Sequence, residues 1–548
     1  MVKTIKIDLD FRESLEDYLA AYLKQNYPPG NNYDYQILSQ SLDARNARNG
    51  RPPHVLYSLK IFEKGEDIQC PLGPLAPTHK HDYPPPIIIG AGPAGIFAAL
   101  YLLEHGVKSI LIERGECVQQ RLLSMVAYWK RGELKPDSNV EYGAGGAGLF
   151  SDGKLFTRIK SPFLPYVLQR LVDFGAPPAI RYLREAQLGS NRMRKIISQL
   201  LDYLSINGVI IRYNTRVTKF LIDRPQKNSL NVNGQQVAPQ VIGVESQSGE
   251  RIYSPHIILA SGHSAREIYH TLHAEKVAMR AKPFAVGVRI EHPRKYIDQL
   301  FYGNWASHPK LNEPAAYRLK SQQGQRAIYT FCMCPGGVVL PAATEIDGLV
   351  INGMSNQGRN GYWSNSAIVV SVDENDFGTA VGGPLDGIAF QQAIECRAYE
   401  AGINAQGKKS GGPPCLTLPR LAPLVPACTV ESLLRQRKHS QHSLLPHSST
   451  PGRIFTSDFS EILPAFICDA IRDALLEWDR QIPGFATKAL LLAPETRTSS
   501  PVTIERDPTS CESISHRGLY PCGEGAGHAG GITSAATDGI KVASAILK

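Results

Sequence analysis

The sequence predicts an α/β fold: a nucleotide-binding parallel sheet, discontinuous along the chain, that is interrupted by an inserted α+β domain and preceded by a small α/β domain. Three observations predict it. Residues 87–113 run strand, glycine turn, helix, strand and terminal acid; a second glycine-rich cluster at 520–539 opens a final apolar helix; and no further strand-Gly-x-Gly-x-x-Gly-helix unit lies between residues 151 and 518. At roughly 150 residues per domain, 548 residues make about two to four domains. The 43% hydrophobic and 20% charged content is globular, and the net charge of +9 is a mild excess without a long Lys/Arg block, so charge gives no strong nucleic-acid signal. Ten cysteines without zinc-ribbon pairs argue against a disulfide scaffold or a structural metal site, and reduced thiols are expected.

Taken in order, Thr4 to Asp10 reads as a strand, Leu15 to Lys24 has helical spacing, and His54 to Phe62 is a second strand. The turn-rich Cys70 to Pro86 then closes a small domain, placed at 1–84. The start MVKTIKIDLDFRESL alternates polar and apolar residues and lacks the continuous apolar core of a secretory signal. The apolar stretch Ile87 to Leu103 is 17 residues long and broken by Gly90, Gly92, Pro93 and Gly95, too short to span a bilayer. A cytoplasmic protein without a membrane partner is the expectation. The nucleotide domain begins at 85–270, with Ile87-Ile88-Ile89, the helix Ile96 to Glu104 and the strand Lys108 to Ile112 as a βαβ unit. The helix Asn191 to Ser205, the strand Val209 to Tyr213, hairpin strands to Ile252 and the apolar strand His256 to Ala260 follow. An inserted domain at 271–484 carries the runs Ala285 to Ile290, Ala327 to Phe331 and Ala367 to Val372. Within it, Gln406 to Pro426 and Arg435 to Arg453, with His439, His442 and His447, read as surface loops rather than a zinc site. Residues 485–548 return to the first sheet.

The sharpest chemical signal is Gly90-Ala91-Gly92-Pro93-Ala94-Gly95 with Glu113 and Arg114 beyond the next strand. Gly90 permits the turn, Gly92 lets the backbone approach a pyrophosphate, and Gly95 lets helix and strand pack closely, while free N–H groups at the helix start face the phosphates. Glu113 is placed to accept from ribose hydroxyls and would repel a 2'-phosphate. Two further clusters extend the site: Tyr142 to Lys154, whose Gly146 and Ser151 line up small and polar groups, and Tyr520 to Gly539.

With that last cluster the chain resembles the glutathione-reductase-like flavoproteins, and more closely the bacterial family described as uncharacterised FAD-dependent dehydrogenases. Phe331-Cys332-Met333-Cys334-Pro335-Gly336-Gly337, Asn352-Gly353-Met354-Ser355, Glu495 to Val502 and Ile258 to His263 suggest the same family. The likeness spans nearly the whole chain and is weakest across Gln406 to Arg453. It implies a Rossmann-like domain of the glutathione-reductase type binding FAD. Gly523 and Glu524 would then serve the ribityl chain, Gly530 and Gly531 the approach of the isoalloxazine, Gly262 the returning turn, and the helix from Ile532 the flavin N1/O2 edge. It also implies an oxidoreductase passing a hydride equivalent between a small organic substrate and flavin N5, with the flavin carrying the redox chemistry. NAD(P)H, as a transient electron donor, would have no Rossmann domain of its own.

Four residues are candidates for catalysis. Arg497 either orients an anionic substrate or secures its loop through a salt bridge. His528, inside the second cluster, either donates to a substrate oxygen or is a packed histidine. Cys332 and Cys334 lack the spacing of a Cys-x-x-Cys redox loop, which leaves structural thiols or a thiol acting on substrate. Two other functions remain open: a flavin-dependent RNA-modifying protein, which salt-dependent RNA binding would reveal, and a flavin-bearing redox sensor without turnover, which a substrate screen after anaerobic reduction would separate. Oligomeric state is left open.

Overall fold

A computed structural model describes residues 3–27, 33–64, 84–157, 159–225, 238–378, 382–410, 422–435 and 445–548. Its centre is a five-stranded parallel sheet in the order Leu519–Pro521, Ile257–Leu259, Ile87–Ile89, Ile110–Ile112, Ile210–Arg212. Leu519–Pro521, Ile257–Leu259 and Ile87–Ile89 are buried throughout, as apolar strands of a sheet covered on both faces are. A strand from the chain's end thus completes a sheet begun before residue 90, and this brings the two glycine clusters together.

The helices Pro93–Glu104 and Ile532–Ile546 pack against each other behind those clusters. A Cβ on Gly539 would sit 2.1 Å from the Ala94 carbonyl oxygen, so backbone meets backbone there. Gly539→Val is expected to cost about 1–3 kcal/mol or more, because neither helix yields easily. A thermal melt matching the wild type would contradict that packing.

The inserted region forms a seven-stranded sheet, ordered Lys320–Gln323, Arg326–Cys334, Trp363–Val372, Phe284–Pro293, Leu490–Glu495, Leu424–Thr429, Arg453–Thr456. Helices Arg294–Tyr302 and Ala465–Gln481 cover one face around the fully buried Trp478 and Phe485. Met279–Ala281 pairs antiparallel with Val502–Ile504, so the chain leaves and re-enters the nucleotide part side by side. The return expected at residue 485 therefore comes later, because Leu490–Glu495 is still a central strand of the inserted sheet.

Two other expectations are corrected. The small N-terminal unit has a third strand, Tyr33–Asp43, at the edge of an antiparallel sheet; its half-exposed, polar-rich sequence gave no strand signal. Gln40 exchanges backbone bonds with Tyr182 and Arg184, and Phe11 packs edge-on to His308 at 4.8 Å, so the unit docks on both larger parts. The segments expected as surface loops carry regular elements: helix Asp386–Ser410 enters the first and strand Leu424–Thr429 ends it. In the second, Ser448 Oγ donates to the buried Glu291 at 2.6 Å and Ser449 donates to it as well. Hydroxyl donors tether this segment to a carboxylate whose pKa burial pushes up. His439, His442 and Cys415 to Pro419 lie outside the described residues. Among the described residues, no helix is long and apolar enough to cross a membrane.

Candidate functional site

One large cleft runs from the parallel sheet to the inserted sheet and encloses about 1590 Å3 of space, its open mouth included. Gly90, Gly92, Pro93 and Ala94 line it from the first turn, and Gly523, Glu524, Gly530, Gly531 and Ile532 line it from the second. Gly146, Ser151 and Gly262 complete that side, with Glu113 and Arg114 at the far end. Gly95 does not reach the cleft; its Cβ position lies 1.9 Å from the Gly90 carbonyl oxygen, which makes it the packing glycine of the turn.

Glu113 braces the loops. Its carboxylate accepts from the N–H groups of Ala91, Gly115 and Gly143, each at 2.9 Å, which ties the first turn to the 139–146 loop. A carboxylate has about four acceptor positions, so roughly one is left for a ligand hydroxyl. Arg114 lies over the Tyr142 ring at 4.0 Å and pairs with Asp137 and Glu267. His263 lines the cleft, its Nδ1 3.7 Å from Glu524 and its Nε2 buried without a partner. Burial pushes the Glu524 carboxyl above its ordinary pKa, and the nearby His263 pulls the other way.

The four catalytic candidates separate. Arg497 lines the cleft, yet its Nη2 and Nε donate to Glu395 at 2.8 and 3.1 Å and its Nη1 to Thr344 Oγ1 at 2.8 Å, so it is the loop-securing salt bridge and not a free anion holder. His528 is not at the cleft; its Nε2 bonds the Ile504 carbonyl at 3.0 Å, and burial lowers its pKa. Cys332 reaches the cleft with a left-handed backbone, φ 44°, in the bulge where its strand slips register. Cys334 is buried and donates from Sγ to the Cys332 carbonyl at 3.4 Å. Burial raises the two thiols to about 11 and about 12, and both are free, so each is a protonated thiol at neutral pH.

Several functional side chains had no motif to announce them. Arg121, wholly buried, donates to the carbonyls of Asn139, Val140, Gly143, Ala144 and Gly146 and so shapes the loop that bears Gly146. Glu395 sits between Arg266 and Arg497 and accepts from both. Arg289 forms a two-bond pair with Glu495 at 2.6 and 2.7 Å behind the cleft wall. Only a helical or strand position, not a partner, is visible locally for each.

Comparison with known proteins fits this geometry. Residues 85–281 match the pyridine nucleotide-disulphide oxidoreductase family, and residues 283–498 match the family described as FAD-dependent protein, C-terminal domain-like. A Clostridium beijerinckii protein, described as an uncharacterized protein, is 40% identical over 466 residues, 84% of this chain and 80% of that one. The chain belongs to this family of FAD-dependent oxidoreductases. Solved flavoproteins are remote: CtdE in complex with FAD is 12% identical over 85% of each chain, with a TM-score of 0.30. A flavocytochrome c3 fumarate reductase in its open conformation is 12% identical over 88% of this chain and 81% of that one, with a TM-score of 0.34.

An FAD-dependent oxidoreductase exchanges a hydride equivalent between an organic substrate and the flavin, and the cleft fits that cofactor on its own terms. A Cβ on Gly530 would meet nothing within 4 Å, and one on Gly92 only Gly146 Cα at 3.9 Å. Neither residue has a left-handed backbone, so nothing inside the protein requires glycine there. Space kept bare at both turns, with an orphaned His263 nitrogen beside it, suits a ligand with phosphates and hydroxyls. Gly530→Val is accordingly expected to leave the melting temperature of the apoprotein unchanged while weakening FAD binding about tenfold or more, about 1.4 kcal/mol. Fluorescence titration of apoprotein with FAD measures it, and unchanged affinity would exclude Gly530 from the cradle.

Proposed function

We propose that this oxidoreductase holds FAD along the cleft with the pyrophosphate at Gly90 to Ala94 and the redox ring against Gly530 to Ile532, and that the inserted sheet forms the substrate wall. The observation that carries the reading is the single cleft lined by glycine turns from opposite ends of the chain. FAD supplies the two-electron chemistry when bound. The protein's part is to bind, orient and exclude water. The start of helix Pro93–Glu104 presents unpaired backbone N–H groups to phosphate oxygens, and Glu113 keeps the turn and the 139–146 loop in register. The start of helix Ile532–Ile546 offers its positive end to an electron-rich ring edge, with Gly530 N–H held by Ser534 Oγ at 3.1 Å. Phe331, Cys332, Asn352 and Thr498 close the opposite side.

NAD(P)H is the transient electron donor in this reading and enters the cleft itself, since the chain carries one Rossmann glycine turn. The described cysteines, all free thiols, suit a cytoplasmic setting. Anaerobic mixing of the FAD-loaded protein with NADH or NADPH tests the donor: bleaching of the visible flavin absorbance is expected, and a flavin that stays oxidised with both would remove NAD(P)H from the scheme.

A further inference from the structure

At the end of the cleft bounded by the inserted sheet, the cations among the described residues are engaged. Arg497 is bound to Glu395, Arg289 to Glu495, and Lys154 Nζ lies 2.7 Å from Asp152 and donates to the Met333 carbonyl. Each positive charge is balanced where it stands. Glu141 and Asp152 also line the cleft, so an anion entering this end of it meets no uncommitted Lys or Arg among the described residues. Thr498 is likewise occupied: its Oγ1 donates to the Ala285 carbonyl at 2.8 Å and accepts from the Ala285 N–H at 3.2 Å.

Asn352, on strand Ile351–Met354, differs. Its Oδ1 accepts from the Gly353 N–H at 2.8 Å and from Arg289 Nη2 at 3.4 Å. An oxygen held between two donors sets which way the amide lies, because the NH2 group has no acceptor to offer them. That NH2 group donates to none of the described residues and is not among the buried polar atoms without a partner, so its donors open on the cleft that Asn352 lines. Phe331 beside it supplies an apolar ring face.

We propose that the cleft selects an uncharged organic substrate bearing a carbonyl oxygen, which accepts a hydrogen bond from Asn352 Nδ2, and turns carboxylates away. The proposal rests on FAD occupying the glycine cradle. A carbonyl oxygen exchanges a bond to water for one to Asn352, whereas a carboxylate gives up its hydration shell without gaining a counter-charge. Asn352 is a specificity-determining residue in this account.

The test uses the FAD-loaded protein and two probes that share a ring and differ in charge, 4-methylacetophenone and 4-methylbenzoate, with perturbation of the flavin absorbance at neutral pH as the readout. The ketone is expected to bind about tenfold or more tighter than the carboxylate. Asn352→Leu and the nearly isosteric Asn352→Asp are each expected to lose about tenfold of the ketone affinity or more while retaining wild-type FAD content. Equal or tighter binding of the carboxylate overturns the proposal, as does ketone affinity unchanged in both variants, or no ketone perturbation up to its solubility limit. A variant that folds but loses FAD would make Asn352 a cofactor holder and overturn it too. Failure of the wild type to bind FAD would instead strike the cradle on which the proposal rests.

Discussion

Arg121→Met is expected to empty the flavin site and to lower stability by about 3–5 kcal/mol. The guanidinium is fully buried and donates to five main-chain carbonyls between Asn139 and Gly146, at 2.6 to 3.2 Å. Burial lowers its pKa to about 10, with Glu113 and Glu141 pulling the other way, so it remains charged at neutral pH. Its acceptors belong to one loop that carries both Gly143, bonded to Glu113, and Gly146, whose Cβ position lies 3.1 Å from Gly92 Cα. Methionine keeps the packing on Phe150 but leaves the carbonyls turned inward without donors, and a loop that re-forms to hydrate them would close on the first turn. Arg121→Lys restores the charge without the planar fork and should fall between the two. FAD content after purification, together with urea unfolding of the apoproteins, separates the effects; a methionine variant that is yellow and as stable as the wild type would show that the loop holds its shape unaided.

What the sequence disclosed and what it concealed divide along chain distance. The strand-turn-helix at Ile87 to Glu104 and the second cluster are local patterns, because a turn that admits a phosphate and a helix that packs on a strand need glycines at close spacing. The inner strands were visible as apolar runs for a similar reason: both faces are covered. Arg121, Arg266, Arg289 and Glu395 were not. Each is an ordinary polar residue until the fold brings up a partner, Glu495 for Arg289 and Glu395 for Arg266, from far along the chain. The same effect reverses the expectation for Arg497, whose attraction as an anion holder lasts only until Glu395 arrives from the distant helix Asp386–Ser410. His528 stood in the right motif but on the wrong side of it, facing Ile504, and periodicity does not report which way a loop side chain turns. Tyr33–Asp43 was missed because an edge strand exposed on one face needs little apolar sequence.

Glu395→Gln should be the most damaging isosteric change in the inserted region, costing about 3–5 kcal/mol. Glu395 Oε1 accepts from Arg266 Nη2 at 2.9 Å, from Arg497 Nε at 3.1 Å and from Thr496 Oγ1 at 2.6 Å, while Oε2 takes Arg266 Nη1 at 3.0 Å and Arg497 Nη2 at 2.8 Å. Arg266 begins a helix of the nucleotide part, Glu395 lies on Asp386–Ser410, and Arg497 follows the last central strand of the inserted sheet, so one carboxylate joins three elements around the cleft. Glutamine offers one oxygen in place of two and turns an NH2 group toward guanidinium donors, leaving Arg266 with the half-buried Glu345 and Arg497 without its ion-pair partner. The ion network also dictates a pH dependence. Burial pushes the Glu395 pKa up, but Arg266 and Arg497 outweigh it and hold the carboxyl well below its usual range. The folded state therefore binds this proton less readily than the unfolded chain, whose value is near 4.5. Its contribution is complete above that pH and drains away as the pH falls toward the folded value. Thermal melts of the wild type should accordingly drop on acidification below about pH 4.5, with a shallower drop for Glu395→Gln, which has no such proton to take up. Parallel slopes for the two proteins in that window would show that the carboxylate does not hold these elements together.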